Sequence, residues 1–456
     1  MSTVSRRQVL KGAAAAGALM LASPAQGLSS APLGPHGASR RSKLFPRSGR
    51  FLIHADLHNH SALSGDAVGD PDTAYQMLRS AGLDAASLTE HAIMGRTHGQ
   101  YSCHSGPCRQ VVGMDDKDWE RLRRLADAAN RDGTFTAIRG FEWTTGTMGH
   151  INVWFGSEWI DGLQAGALVT PSGAKELDQL FDVPPELLAV FEQLPETATM
   201  DGFYDWLAAS PQRPVLPGGR DSLAGFNHPN EYGNFDGFAY DARVANRLVT
   251  CEALNMGRDF FFYGTDEGKP HPLAACLDAG WRTGFIGVSD NHGEEYGVIG
   301  DRGGLWVKEL TRAGVREALI ARRVFATRVP GLRLEAAAKG VPMGGTVPHR
   351  RGPVRVDVDL AGGAAWTGKP VTIQVIRPGR GAPTLATVVK TFVPRPDRPP
   401  ISFTVDVDVA DGQWMFLRIT DPTKEPDGPM PAKYAAGGRV IGYTSPFFFQ
   451  APARRT

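Results

Sequence analysis

In the stretch "DLHNHSALSGD", residues 56–66, Asp56, His58, His60 and Asp66 fall within eleven positions, directly after the apolar run Phe51, Leu52, Ile53. Imidazole nitrogens and carboxylate oxygens are ligands for zinc, manganese and iron, with coordination geometry selecting among those metals. The same residue types return along the chain: His91 in "LTEHA", Glu142 in "FEW", His150 in "GHINV", His228 in "FNHPN", Glu252 in "TCEALN", and Asp290 and His292 in "SDNHG". A lone histidine beside an apolar run is most often a hydrogen-bonded structural group. Six of the twelve histidines share that placement, however, together with Asp66, Glu142 and Asp290. Repetition on that scale points to one metal site assembled from many segments. Two divalent cations about 3.5–4 Å apart can hold a water and bring its pKa towards neutrality, which is the chemistry of ester hydrolysis. Glu142 suits a bridging position, because a carboxylate offers two oxygens and a neutral imidazole one free lone pair. Asp56 is expected to orient a histidine rather than bind metal, and Glu252 likewise, with proton donation as its alternative.

These residues need elements to carry them. Asp70-Pro71 reads as a cap and first helical position, followed by Ala74, Met77, Leu78 and Ala81 at helical spacing and Gly82 as a stop. A short run over 85–89 ends in Glu90 and His91. A helix over 118–131 would bury Trp119, Leu122, Leu125, Ala126 and Ala129, and a strand over 135–141 ends at Glu142. Strand and helix in alternation predict a parallel sheet or barrel, whose carboxyl-end rim is the usual floor of an active site. From about residue 330 the texture changes. "VRVDVDL", "KPVTIQVI", "ISFTVDVDV" and "QWMFLRITD" alternate strictly between proline and glycine turns, which predicts a small antiparallel β-sandwich without ligands.

At 456 residues the chain is long enough for two domains, and 42% hydrophobic with 21% charged residues suits a soluble globular protein. A formal net charge of +1 gives no reason to expect nucleic acid or an anionic membrane as partner. At the start, Arg6 and Arg7 precede a short alanine-rich run and small residues at Ser23 and Ala25. This resembles a twin-arginine signal, cleaved after Ala25, whose pathway exports folded proteins to the periplasm or beyond. Residues 26–49 read as a linker, 50–329 as the metal-bearing domain and 330–456 as the sandwich. Four cysteines in an exported chain permit two disulfides, Cys103 with Cys108 and Cys251 with Cys276. Zinc held by Cys103, His104 and Cys108 is the alternative for the first pair, and it lacks a nearby fourth ligand.

Taken in order, "DLHNHS", "LTEHA", "FEW", the histidine of "GHINV", "NHPN" and "SDNH" resemble the motifs of the PHP (polymerase and histidinol phosphatase) superfamily across roughly 51–328. Within it the chain looks most like the branch containing carbamate hydrolases such as carbaryl hydrolase. The resemblance implies a distorted (β/α)7 barrel holding two to three divalent ions (Zn, Mn or Fe) at its carboxyl-end face. Carried over motif by motif, His58, His60, Glu142 and Asp290 would hold the first ion and carry the catalysis. Glu142, His150 and His228 would hold the second, and Asp66, His91 and His292 the third. Two departures stand out: Glu90 occupies a position where relatives more often have aspartate, and Asp66 one where some have histidine.

The implied activity is metal-dependent hydrolysis of a small-molecule ester, phosphoester first, with carbamate or carboxyl ester as the alternative on the same site. A phosphate would call for a cation beside the metals, and Arg96, Arg258 and Arg302 follow ligand motifs. An aryl leaving group would call for an apolar wall, which Phe260, Phe261, Phe262 and Tyr263 could supply unless they are interdomain core. The irregular segments 92–118 and 156–223 are where a specificity pocket would be encoded. A binding protein without catalysis is the reading from another class, and a full ligand set argues against it.

Overall fold

The computed structural model describes residues 40–93, 113–165, 199–362, 369–379, 382–392, 400–428, 430, 432–435 and 437–451. The signal, most of the linker, Arg96, Cys103, His104, Cys108, most of segment 92–118 and residues 166–198 of segment 156–223 lie outside these residues.

Ten strands carry the first part of the chain: β1 (Phe51–Asp56), β2 (Ala85–Ala92), β3 (Thr136–Thr144), β4 (His150–Trp154), β5 (Leu223–Phe226), β6 (Leu248–Asn255), β7 (Arg258–Asp259), β8 (Gly284–Val288), β9 (Arg302–Val307) and β10 (Val324–Thr327). Among them run helices α1 (Pro71–Ser80), α2 (Asp116–Ala129), α3 (Asp201–Ala208), α4 (Pro272–Asp278) and α5 (Arg312–Ile320). Local chemistry sets the helix ends. The Asp70 carboxylate accepts from the Asp72 amide at 3.0 Å with Pro71 in the first turn, and Asp115 and Asp118 form a reciprocal capping box that starts α2 two residues before the expected point. The α1 face is rotated from the expected one. Tyr75, buried with Ala74 and Leu78, donates its hydroxyl to the Ile138 carbonyl at 2.7 Å, while Met77 is only partly covered.

The sheet is mixed rather than parallel. β1, β2 and β3 pair in parallel, β3–β4 and β4–β5 antiparallel, and β5, β6 and β8 in parallel again. Six of these strands, β1, β2, β3, β5, β6 and β8, therefore point the same way, as does β10, with β4, β7 and β9 reversed. The hydrogen-bonded path is open: β8 has its ladder with β6 and meets the end of β1 through one bridge, Asn59 to Asn291. Strand–helix alternation missed the β3–β4 reversal because its connection, residues 145–149, is a five-residue turn with no helix.

Further strands follow: β11 (Arg333–Ala338), β12 (Val341–Pro342), β13 (Thr346–Pro348), β14 (Arg351–Ala361), β15 (Val371–Gly379), β16 (Ala382–Phe392), β17 (Ile401–Asp408), β18 (Trp414–Asp421), β19 (Arg439–Thr444) and β20 (Phe447–Gln450). β12, β11, β14 and β17 form a separate four-stranded sheet. The others extend the large sheet, because β10 pairs with β9 on one side and β19 on the other. Val356 and Leu334 of the small sheet share a core with Ile373, Leu417 and Phe449 of the large one, joined by Leu52, Trp306 and Phe325. Fully burying one such side chain contributes about 1.5–3 kcal/mol.

The expected Cys251–Cys276 disulfide is absent. Both residues are buried free thiols; Cys276 Sγ lies 3.6 Å from Thr283 Oγ1, and burial with the neighbouring Cys276 pushes the Cys251 thiol well up.

Candidate metal centre

The shared direction of six strands gathers their carboxyl ends on one rim. His58 and His60 leave β1, His91 and Glu142 lie near the ends of β2 and β3, His228 follows β5, and Asp290 and His292 follow β8. His150 stands at the amino end of β4, and the reversal of that strand returns it to the same rim. Asp66 reaches the site from the loop after β1. Two of these residues hold positive φ, Asp290 at 48° and His228 at 21°, a region that non-glycine residues occupy at a cost and that clusters at functional sites.

Glu142 sits in the middle. Its Oε1 lies 3.3 Å from His58 Nε2, His150 Nδ1 and His228 Nε2, while Oε2 lies 2.7 Å from His91 Nδ1 and 3.5 Å from His60 Nε2. Asp290 Oδ1 is 3.2 Å from both His58 Nε2 and His60 Nε2. Asp66 Oδ2 lies 3.1 Å from His91 Nε2 and 3.5 Å from His292 Nε2. All nine expected residues thus converge on one place. Ligand atoms within 4.8 Å of one another form three groups: His58, His60 and Asp290; His91, Glu142 and His150; and His60, His91 and His292. These cut across the implied assignment, because His60 and His91 are each shared between two groups.

Hydrogen bonds behind the rim fix the ring nitrogens. His58 Nδ1 faces Glu252 Oε1 at 2.8 Å, and His60 Nδ1 faces Ser64 Oγ at 2.8 Å. Ser64 gives its own proton to Glu90 Oε2 at 2.6 Å, so His60 Nδ1 is the donor in that pair and its Nε2 presents a lone pair inward. His58 Nε2 and His60 Nε2 then stand 3.0 Å apart. Two inward lone pairs at that distance repel unless a proton or a cation lies between them. Glu142 Oε2 and His150 Nδ1 are buried and, although 2.7 Å from His91 Nδ1 and 3.3 Å from Glu142 Oε1 respectively, make no well-aligned hydrogen bond, a state that a cation would relieve. The donor set, imidazole with carboxylate, suits divalent transition metals. By this test the residues fit.

The electrostatics are consistent with that arrangement. Burial pulls the His58 and His91 imidazoles down, but the facing carboxylates, Asp290, Glu252 and Glu142 for the former and Asp66 and Glu142 for the latter, hold both well above the ordinary range. Burial and then the charge of His292 and His91 push His60 down to about 3. Burial raises the Glu142 carboxyl, yet His150, His58 and His91 hold it well below the ordinary range.

Several expectations change. Asp56 orients no imidazole: its carboxylate accepts from Ser289 Oγ at 2.5 Å and Ser289 N at 3.1 Å, tying β1 to β8. Glu252 does the orienting, and also accepts from the His228 amide and from Asn255 Nδ2, each at 2.8 Å. Glu90 faces away from the centre towards Ser61 and Ser64. Arg302 is no loop residue but the buried first residue of β9, donating to the Gly300 carbonyl at 3.0 Å. Arg258 begins β7 and donates to Glu231 Oε1 at 2.6 Å. The aromatic run splits: Phe261 and Phe262 pack on Tyr434, whereas Phe260 stacks on Tyr263 and faces His228 with ring centres 6.4 Å apart. A cleft of about 550 Å³ lined by Arg258 and Tyr263 includes no ligand residue.

Sequence reading missed Asn227, whose Nδ2 donates to Glu142 Oε1 at 2.7 Å, and Asn255, which reaches Asp290 Oδ2 at 3.2 Å. It also missed Tyr232, stacked on the His150 ring with centres 4.6 Å apart. Only Asn227 carried a signal, as the neighbour of His228 in "NHPN".

Residues 3–23 match the family of twin-arginine translocation pathway signal sequences, so the chain carries an export signal of that route. Among the described residues no helix is long and apolar enough to cross a membrane. Residues 76–158 match a family described as a protein of unknown function (DUF3604). No curated protein matches the chain. Similar solved structures include a two-domain protein from Bacteroides vulgatus containing a predicted PHP-like metal-dependent phosphoesterase, 16% identical, with TM-score 0.39, covering 88% of this chain and 96% of that one. An amidohydrolase from Chromobacterium violaceum, with bound sulfate and no metal, is also 16% identical, with TM-score 0.27, covering 59% of this chain and 96% of its own.

Proposed function

We propose that this chain is an exported, metal-dependent hydrolase of the PHP type, acting on a phosphoester through a site of two to three divalent cations. The observation that carries the reading is the Glu142 carboxylate, within 3.5 Å of ring nitrogens from five histidines. In this reading residues 50–329 form a distorted barrel in which β8 and β1 are joined by a single bridge, and 330–456 a β-sandwich that supports it.

His58, His60, Glu142 and Asp290 would hold one cation, Glu142, His150 and His228 a second, and Asp66, His91 and His292 a third. Cations bound there supply Lewis-acid polarisation of an ester oxygen and acidify water. The chain's own groups do the rest. Glu252 keeps the His58 proton on Nδ1, Ser64 and Glu90 keep the His60 proton on Nδ1, and Asn227 holds the Glu142 carboxylate in place. Burial of His58, His60 and Glu142 keeps bulk water from the inner wall. Access is from the side of Asp66 and His292, whose side chains are 39% and 30% exposed. A carbamate or carboxyl ester is the second reading, favoured by the Phe260–Tyr263 stack beside His228.

The test is metal analysis of the exported protein together with turnover of p-nitrophenyl phosphate, bis-p-nitrophenyl phosphate and naphthyl N-methylcarbamate. Bound metal with phosphoester turnover is expected. Carbamate turnover alone would move the assignment to the second reading. A metal-free protein inactive after reconstitution would leave a binding function.

A further inference from the structure

The rim that holds the ligands also carries most of the exposed large apolar side chains among the described residues. Seven such residues are more than a third exposed, and four of them, Val68, Tyr232, Met256 and Val298, lie in loops leaving the carboxyl ends of β1, β5, β6 and β8. Those are the loops that follow His60, His228, Glu252 and His292. Exposed apolar residues scattered singly need no explanation, but several brought to one rim mark a surface meant to be covered.

Tyr232 is the member that touches the centre. Its ring lies flat on His150, 4.6 Å between centres with planes 5° apart, and edge-on to His228 at 5.4 Å, yet it is 50% exposed. Beside it Glu231 holds Arg258. The guanidinium gives one nitrogen to Glu231 Oε1 at 2.6 Å and stands 5.5 Å over the rings of Phe260 and Tyr263. A partly exposed guanidinium so fixed keeps donors for a ligand anion.

We propose that Tyr232 and Arg258 form the substrate-reading part of the site: Tyr232 is a platform for a planar aromatic group, Arg258 binds the anionic oxygen of the same molecule, and the preferred substrates are aryl esters of phosphoric acid. This rests on the phosphoesterase reading above and narrows its substrate. His150 covers one face of Tyr232 and His228 meets the ring edge-on, and no other ring stacks on it among the described residues, so a planar group would use the opposite face, one ring removed from His150, with its anionic end reaching round the ring edge towards the centre. Aromatic stacking adds to area burial in a way that separates aryl from alkyl groups.

The test is calorimetric binding of phenylphosphonate and methylphosphonate, neither of which is hydrolysed, to the metal-loaded protein, with bound metal counted in every variant. Phenylphosphonate is expected to bind about three- to tenfold more tightly. Tyr232→Phe should keep that preference and Tyr232→Ala abolish it; should Tyr232→Ala lose metal, Tyr232→Leu, which still covers His150, replaces it. Arg258→Gln should weaken both ligands by a similar factor of about ten. Equal affinity for the two phosphonates in the wild type, or a preference that survives loss of the Tyr232 ring, overturns the proposal. Failure of the broader reading looks different: no ester turned over, whichever phosphonate binds better.

Discussion

Of the buried clusters of charge among the described residues, two are built on opposite principles. Where β18 and β19 pack against β7, Arg418 is fully buried, and every charge near it has a partner. Its guanidinium donates to Gln374 Oε1 at 2.7 Å and to the Tyr443 hydroxyl at 3.1 Å and lies 3.5 Å from Asp259, which in turn accepts from Tyr443 at 2.8 Å. At the rim, Glu142, Asp290 and six histidines meet with lone pairs facing one another and buried atoms that make no well-aligned hydrogen bond. A cluster that satisfies itself holds elements together. One that leaves its polar atoms open to a common point is prepared for a cation.

The contrast is broken most directly at Glu142. Glu142→Ala is expected to lower turnover by about a thousandfold or more and to remove more than one equivalent of metal, with the circular dichroism spectrum retained; metal analysis and steady-state rates check it. Arg418→Met attacks the other cluster. It strands Asp259 and should cost about 3–5 kcal/mol in denaturant unfolding, with metal content unchanged. Glu252→Gln tests the wall behind His58, and about 10–100-fold weaker metal affinity in a competitive chelator titration is expected. Chelation of the wild type should lower its midpoint temperature, and readdition of metal at a hundred times its Kd should restore about 2.7 kcal/mol. Calorimetric scans of Arg418→Met should show the same metal-dependent increment, because its defect lies elsewhere.

The smallest effect concerns His54 on β1, buried, with an unpaired Nδ1 and an ionisation pulled by burial to about 3. In the unfolded chain it titrates near 6.5, so between those values the unfolded chain binds the extra proton. Stability should therefore fall as pH drops below 6.5, by up to about 1.4 kcal/mol per unit. His54→Gln should remove that share of the slope in unfolding curves at pH 7 and 5.5.

How much was legible depended on how local the cause was. The α1 cap was legible in Asp70-Pro71, a side chain acting on an amide two positions away, whereas the Asp115–Asp118 box was not read and α2 begins two residues before the expected point. That nine scattered residues meet in one place was legible because metal chemistry restricts residue type. The β3–β4 reversal was not, since a five-residue turn carries no periodicity to read. Nor were Asn227, Asn255 and Tyr232, which act through partners 35 to 85 positions distant or through ring stacking. Asp56 was misassigned for the same reason: its partner, Ser289, is 233 positions away.

One join makes the ligand-bearing half depend on the last strands. β10 is zipped to β9 on one side and β19 on the other, and the Thr327 hydroxyl donates to the Ile441 carbonyl, 114 positions further on. A ribosome that releases the amino-terminal half first therefore presents an unfinished edge until the last strands emerge. Truncation before β19 is thus expected to leave β10 with an unpaired edge in the ligand-bearing half.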